Sequence, residues 1–176
     1  MKVAIRTCLI AASLVLVAGS LGAQDQASFT LNDGAVRFHA PASWMSVMEK
    51  KEGDPQAIAF QVPDPSAQDS EDAATVTVKT RQLADAAGFA AAVQQEFERA
   101  KEQPGFATDP ANKDAAVRQY FVSRGKTRYL VRDRAKLVGK IAAEVRCQRP
   151  LLASTPAAWS AQFDRDCDAI MASLGS

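Results

Sequence analysis

Short segments of alternating apolar and polar residues, separated by tight turns, recur along most of this chain. Asn32-Asp33-Gly34 joins two such segments within residues 28–39, and Arg124-Gly125-Lys126 joins two more. Turns of this kind connect neighbouring antiparallel strands, because they reverse the chain within a few residues. The other predicted strands are an extended piece through Met45 and Val47 and residues 57–62, 75–80, 115–123, 127–134 and 136–148.

Two helical patterns complete the predicted fold. Residues 85–102 place Phe89, Val93 and Phe97 on one face, with Asp85 as the N-cap, and residues 157–174 have a similar apolar stripe. Consecutive strands joined by hairpins form antiparallel sheets, and amphipathic helices cover their apolar faces. The predicted fold class is α+β, an antiparallel β-sheet of about six to seven strands packed with two main α-helices.

The first 23 residues have the pattern of an export signal. Lys2 and Arg6 precede an apolar stretch at 9–21, and the small residues Gly22 and Ala23 offer a cleavage site. The apolar stretch is short for a membrane span, which needs about 20 residues. We therefore predict a cleaved signal peptide (1–23), a single α+β domain (24–176) and a periplasmic location, with an uncleaved anchor as the alternative.

Cys147 and Cys167 remain after removal of the predicted signal, which carries Cys8. Cys147 shares its strand parity with Val145, and Cys167 shares an apolar helix face with Phe163, so both thiols are expected at one helix–sheet interface. An even pair in an oxidising compartment is expected to form a disulfide, which would stabilise the fold by about 3 kcal/mol. Two buried free thiols are the alternative, and no Cys-x-x-Cys spacing supports a catalytic redox pair.

Charge is distributed unevenly along a chain whose overall net charge is +1. Residues 24–112 carry a net charge of −7, residues 113–149 carry +8 and residues 150–176 carry −2, while Lys2 and Arg6 of the predicted signal add +2. The basic part coincides with the last three predicted strands, which suggests a fixed cationic sheet face suited to carboxylate or phosphate groups. The candidate partner-binding residues are Arg118, Arg124, Lys126, Arg128, Arg132 and Arg134. The alternatives are internal pairing with the acidic half of the chain, or a surface that only maintains solubility.

Catalytic and metal-binding patterns are weak. His39 is the single histidine, lies in a predicted strand and has no Gly-x-Ser-x-Gly motif to accompany it. Asp164, Asp166 and Asp168 are spaced like part of a calcium loop but fall in a predicted helix, so a solvated helix face is expected. The acidic residues at 63–73 are expected to form a mobile surface loop. We predict no catalytic residue, no metal site and no cofactor.

The order of elements resembles the PsbP/Mog1/DcrB-like family, which includes the PsbP extrinsic photosystem protein, the nuclear-transport factor Mog1 and periplasmic DcrB-like proteins. The residues that carry the resemblance are 32–34, 36–38 and Pro41-x-x-Trp44 near the predicted mature start, with the helix that contains Trp159 at the end. The resemblance implies an αβ sandwich and a mostly non-catalytic protein that acts by contacting other proteins. No family active-site residue can be matched.

These observations predict an exported, non-catalytic protein that binds another envelope or secreted protein through its basic sheet face. One alternative is an immunity or inhibitor protein that neutralises a secreted toxin. Another is a binder of a small anionic or lipidic ligand in a crevice between sheet and helices. Nucleic acid is an unsuitable partner because few aromatic residues accompany the arginines. An enzyme is the least favoured class, since no nucleophile–base pair can be named.

Overall fold

The computed structural model describes residues 25–66 and 72–175. The predicted signal peptide and the middle of the acidic loop lie outside this range. The described strands are β1 (Gln26–Leu31), β2 (Val36–Pro41), β3 (Met45–Lys50), β4 (Gln56–Val62), β5 (Ala74–Gln82), β6 (Ala107–Thr108), β7 (Arg118–Arg124), β8 (Thr127–Val138) and β9 (Ile141–Pro150). The described α-helices are α1 (Phe89–Lys101) and α2 (Ala157–Ser173).

Seven strands form one antiparallel sheet in the order β3-β4-β5-β9-β8-β7-β6. Strands β1 and β2 pair only with each other and form a separate hairpin. The predicted α+β class with an antiparallel sheet and two helices is thus confirmed. None of the helices within residues 25–66 and 72–175 combines the length and hydropathy needed to span a bilayer.

The main core lies on the first face of the sheet, which the β1–β2 hairpin and α2 cover. Period-two alternation in β5 and β9 turns Val76, Val78 and Val145 toward this face, where they are buried. Phe38 of the hairpin and Phe163 of α2 are buried against the same surface. Burial of these apolar side chains holds the hairpin and the helix to the sheet.

A disulfide between Cys147 of β9 and Cys167 of α2 crosses this core, as predicted from the sequence. The two Cα atoms are 6.3 Å apart and the sequence separation is 20 residues. Both residues are almost completely buried. The bond fixes α2 over the centre of the sheet, because β9 is its middle strand.

The second face of the sheet carries α1, which packs tightly only through its C-terminal half. Phe97 and Ala100 of α1 contact a small cluster with Tyr120, Val122 and Phe106, and Ala100 is buried. Closer to its N-terminus the helix has no buried residue. One end of α1 is therefore anchored by aromatic packing while the other stands away from the sheet.

Strand β3 forms one edge of the main sheet, and all six of its residues are exposed. Met45, Val47 and Met48 are 58%, 52% and 45% exposed. This edge carries apolar side chains beside backbone groups that have no neighbouring strand among the described residues.

Several boundaries differ from the sequence-based predictions, and two of these differences have a clear physical reason. The chain from 127 to 150 forms β8 and β9 with a turn at Gly139, whereas the prediction placed the break near residue 135. Gly139 has φ +60°, which suits the turn, while Ala135 has no feature that ends a strand. The predicted helix at 85–102 begins as a 3-10 turn, in which Asp85 accepts a hydrogen bond from the Gly88 amide before α1 starts.

Candidate functional site

Alternation along the central strands turns a group of charged side chains toward the second face, beneath α1. Lys79 of β5 is paired in register with Glu144 of β9, and Arg146 of β9 is paired with Asp133 of β8. A sheet face covered by a helix is normally apolar, so charged groups here must have partners. The partners are supplied partly by the sheet and partly by α1.

The innermost group consists of Asp133, Arg146 and Tyr120. Arg146 Nε and Nη2 donate to the two carboxylate oxygens of Asp133 at 2.9 and 3.0 Å, and the Tyr120 hydroxyl donates at 2.7 Å. The Asp133 side chain is only 8% exposed. Burial and the charge of Asp133 raise the pKa of Tyr120 far above its ordinary value. These contacts form a fixed polar floor for the site.

Glu96 connects α1 to the sheet. Its two carboxylate oxygens accept hydrogen bonds from Lys79 at 2.7 Å, Arg81 at 2.8 Å and Arg99 at 2.7 Å. Although burial alone would raise the pKa of Glu96, the bond from Lys79 and the three cations hold the pKa below its usual value. Lys79, Arg81 and Glu96 therefore form an ionic clamp across the helix–sheet interface.

Glu144 lies on the floor beside this clamp. It accepts one long hydrogen bond from Arg146, at 3.3 Å, and its second oxygen is 3.8 Å from Lys79 Nζ. Its side chain is 15% exposed. Burial and the nearby charge of Asp133 raise the pKa of the Glu144 carboxyl.

Between the N-terminal half of α1 and the sheet lies a cleft with a volume of about 550 Å³. Its apolar lining consists mainly of Phe89, Val93 and Phe97 with small residues on every side, namely Ala90, Ala92, Ala115, Ala116, Ala135 and Ala142. Facing alanines cannot fill the space between a helix and a sheet, so the gap persists. Its volume falls in the range of about 300–1,000 Å³ that is usual for small-molecule sites.

Arg118 closes one side of the cleft. Its guanidinium donates to the Val93 carbonyl and, at 3.1 Å, to Gln94 Oε1. It also lies over the Phe97 ring, 4.7 Å from the centroid. Arg118 therefore joins β7 to α1 and supports the helix above the cleft.

The six basic residues predicted to bind a partner do not share one face. Arg118 and Arg124 have the strand parity that faces α1, whereas Arg128, Arg132 and Arg134 have the opposite parity. Lys126 lies in the turn between β7 and β8. The single continuous basic face expected from the sequence is therefore divided by the sheet itself.

Arg132 and Arg134 are paired with carboxylates of the same chain. Arg132 lies 3.6 Å from Asp164 and 3.3 Å from Asp168, both on α2. Arg134 lies 2.9 Å from Asp114 and 3.5 Å from Asp168. The side chains of Asp164 and Asp168 are 33% and 45% exposed, so the helix face that was expected to be solvated is partly solvated and also pairs with β8.

The other three candidates lie nearer the end of the β7–β8 hairpin. Arg124 donates to Gln148 Oε1 at 3.1 Å and lies over the Tyr129 ring. Arg128 lies over the Phe121 ring, 3.9 Å from the centroid. Within the described ranges, neither Arg128 nor Lys126 has an ion pair. The hairpin end therefore retains part of the predicted cationic surface.

His39 lies at the surface, whereas the acidic loop is partly buried, since Asp64 is only 7% exposed. His39 Nδ1 is 3.1 Å from Ser28 Oγ on the exposed side of the β1–β2 hairpin. In the acidic loop, Asp72 accepts hydrogen bonds from Thr127 at 2.6 Å and Tyr129 at 2.7 Å, which ties this part of the loop to β8. In the part of the chain that the structure describes, no three His, Cys, Asp or Glu side chains are grouped so as to hold a metal ion.

No protein-family model and no curated protein sequence matches this chain. Its fold is similar to that of a protein from Bacteroides thetaiotaomicron VPI-5482 whose crystal structure was determined at 1.50 Å resolution, with a TM-score of 0.51 and 16% sequence identity. The likeness covers 86% of this chain and 48% of that protein, so the chain spans about half the length of this structural neighbour. At this identity the likeness shows the fold alone.

Sequence reasoning did not identify Lys79, Arg81, Glu96 or Glu144 as site residues. Two signals were present. Thr77, Lys79 and Arg81 put polar groups on alternate positions of a strand whose other positions include Ala74, Val76 and Val78. The stretch at 89–93 is rich in alanine, which indicates a helix with little bulk to bury.

Proposed function

We propose that this chain is an exported, non-catalytic binding protein that holds a small amphipathic ligand in the cleft beneath α1. The observation that carries the proposal is the cleft itself, which has apolar walls and a polar floor in which most hydrogen-bonding groups already have partners. Sites of this form bury most of the surface of an apolar molecule and orient it through a few polar contacts. The buried disulfide and the signal-like segment at 1–23 support export.

A non-catalytic role is supported by how the charged residues of the cleft are used. Asp133, Arg146 and Tyr120 are bonded to one another, and Glu96 is bonded to three cations. A general acid or base must be able to exchange a proton with a substrate, and groups committed to internal pairs are poorly suited to that task. Membership of the PsbP/Mog1/DcrB-like family is part of the same proposal, and the antiparallel sheet with two helices is consistent with it.

A neutral apolar dye tests whether the cleft binds ligands. N-phenyl-1-naphthylamine becomes fluorescent in apolar surroundings, and we expect the mature protein to bind one dye molecule. Ala142→Leu fills the floor of the cleft and is expected to weaken binding at least tenfold. Ala91→Leu, on the exposed side of α1 and away from the cleft, is the matched control and should leave binding unchanged.

Native mass spectrometry of protein purified without denaturation gives a second measurement. A stoichiometric extra mass that is lost in Ala142→Leu supports the proposal. A dye affinity that is equal in wild type, Ala142→Leu and Ala91→Leu would overturn it, because the bound dye would then lie elsewhere.

A second candidate function is docking of another envelope or secreted protein, of which neutralisation of a secreted toxin is one form. The observation that favours it is the cationic end of the β7–β8 hairpin, where Lys126 and Arg128 have no ion pair among residues 25–66 and 72–175. Reversing both charges should abolish co-purification of such a partner. Undiminished co-purification with Lys126→Glu/Arg128→Glu would remove this surface from consideration.

A further inference from the structure

Glu144 is the carboxylate of the cleft whose hydrogen-bonding capacity is least used. A carboxylate accepts up to about four hydrogen bonds. Among the described residues, Glu144 receives one hydrogen bond, the 3.3 Å contact from Arg146, and the nearest cation to its other oxygen is Lys79 at 3.8 Å. A largely buried carboxylate with unused capacity is costly for the folded protein, and a donor in the cleft would relieve that cost.

The four cations that line the cleft each contact groups of the protein, although the buried Nε of Arg134 has no hydrogen-bond partner among the described residues. Lys79 and Arg81 donate to Glu96, and Arg118 donates to α1. An anionic ligand would compete with Glu96 for Lys79 and Arg81, and with neutral oxygen atoms of α1 for Arg118. A cationic ligand meets Glu144 without breaking any contact shorter than 3.3 Å.

We propose that the cleft selects a small molecule with a protonated amine on an apolar body, and that Glu144 accepts the amine. This inference rests on the proposed function of the cleft and specifies the charge of its ligand. It differs from the small anionic or lipidic ligand that was one alternative from the sequence. The ammonium would lie at the floor beside Glu144, and the apolar body would extend past Ala135 and Ala142 toward Phe89 and Val93.

The electrostatic surroundings of Glu144 agree with this assignment. Asp133 of β8 and Glu96 of α1 oppose its ionisation, while Arg146 of β9 and Lys79 of β5 favour it, and burial makes the pKa higher than usual. A bound ammonium adds a positive charge and lowers that pKa again. Amine binding is therefore expected to weaken as the pH falls and Glu144 becomes protonated.

Competition against N-phenyl-1-naphthylamine tests the ligand charge with three probes of one chain length, decylamine, decan-1-ol and decanoate. We expect decylamine to displace the dye at a concentration at least tenfold lower than decan-1-ol, and decanoate to be the weakest. Glu144→Gln should remove the advantage of decylamine over decan-1-ol while leaving decan-1-ol unchanged. Glu144→Asp, which keeps the charge, should retain part of that advantage.

Glu98→Gln is the matched control, because Glu98 is an exposed carboxylate of α1 that pairs with Lys101. It should behave as wild type. Equal displacement by the amine and the alcohol, or stronger displacement by decanoate, would overturn the inference and leave the cleft as a binding site. Failure of all three probes to displace a bound dye would overturn the proposed function as well.

Discussion

Lys79 Nζ of β5 donates a 2.7 Å hydrogen bond to Glu96 Oε2 of α1, across the gap that forms the cleft. Arg81 binds the other oxygen of the same carboxylate. Because the N-terminal half of α1 has no buried residue, these ionic contacts replace the apolar packing that usually holds a helix to a sheet. The clamp therefore controls how α1 is positioned above the cleft.

Loss of the clamp should loosen α1 without unfolding the sheet. We expect Glu96→Gln to lower the free energy of unfolding by about 1.5–3 kcal/mol, since hydrogen bonds to charged groups contribute about that much. Hydrogen exchange should become faster in 89–96 and remain slow in β5 and β9. Glu98→Gln, an exposed carboxylate on the same helix, should change neither quantity. If hydrogen exchange in residues 89–96 is unchanged in Glu96→Gln, the helix is held to the sheet by other contacts.

The two tyrosines should resist ionisation. Burial and the hydrogen bond to Asp72 raise the pKa of Tyr129 to about 12, and burial with the charge of Asp133 raises that of Tyr120 further. In the unfolded chain both phenols titrate near 10. The unfolded state therefore loses protons first, and the folded state should lose stability as the pH rises above about 10.

Ultraviolet titration of tyrosinate measures this directly. Little tyrosinate should form near pH 10 while the protein remains folded. Asp72→Asn should bring the pKa of Tyr129 closer to the ordinary value and leave Tyr120 unchanged. Ionisation of both phenols at the ordinary pKa in folded protein would contradict the two buried hydrogen bonds.

Gly105 is the tightest backbone position next to α1. It has φ +68°, and a Cβ atom there would lie 2.3 Å from Ser123 Oγ and 2.8 Å from Ser123 Cβ. We expect Gly105→Ala to destabilise the fold by about 2–4 kcal/mol, through left-handed strain and overpacking together. Gly125→Ala, at φ +57° with open space around it, should cost about 1 kcal/mol. If chemical denaturation shows equal losses of stability in Gly105→Ala and Gly125→Ala, the close contact with Ser123 is excluded.

Removal of the disulfide should destabilise the domain substantially. The bond closes a segment of 20 residues, for which chain entropy gives about 3 kcal/mol. Cys147→Ser, Cys167→Ser and the double variant should lower the melting temperature by the same several degrees, because each removes the same bond. Protein from an oxidising compartment should show no free thiol in denaturant at either position. Two reactive thiols would refute the pairing.

Arg132 and Lys126 should respond differently to truncation, although both belong to the predicted basic surface. Arg132→Ala removes one ion pair from each of Asp164 and Asp168, which keep Arg149 at 3.6 Å and Arg134 at 3.5 Å. We expect a loss of about 1 kcal/mol, or about 2–4 °C in melting temperature. Lys126→Ala removes no ion pair among the described residues and should be neutral. A neutral Arg132→Ala would indicate that its ion pairs are fully solvated.

The fold could be predicted from local sequence because its strands alternate cleanly. Val76 and Val78 of β5 both point to the buried face of the sheet, and Phe163 and Cys167 lie on one apolar stripe of α2. Strand order could not be predicted in this way. The sequence pattern of β9 is compatible with several neighbours, and its place between β5 and β8 depends on long-range pairing.

The candidate site was harder to predict because its residues meet only in the folded protein. The role of Lys79 depends on Glu96 of a helix that could dock on either face. The pairing of Arg132 with Asp168 depends more directly on features that the sequence shows. Arg132 lies opposite Cys147 in register, and the disulfide brings Asp168, the neighbour of Cys167, above it.

The exposed edge strand β3 sets a limit on how concentrated a preparation of this protein can become before chains associate. Its outer amide and carbonyl groups, flanked by Met45, Val47 and Met48, can accept a strand from another molecule. Lys51 at one end is paired with Glu49 at 2.6 Å, and residues 49–52 carry no net charge, so charge repulsion does little to oppose that contact. A lysine in place of Val47 would add that repulsion and favour the monomer during purification and crystallisation.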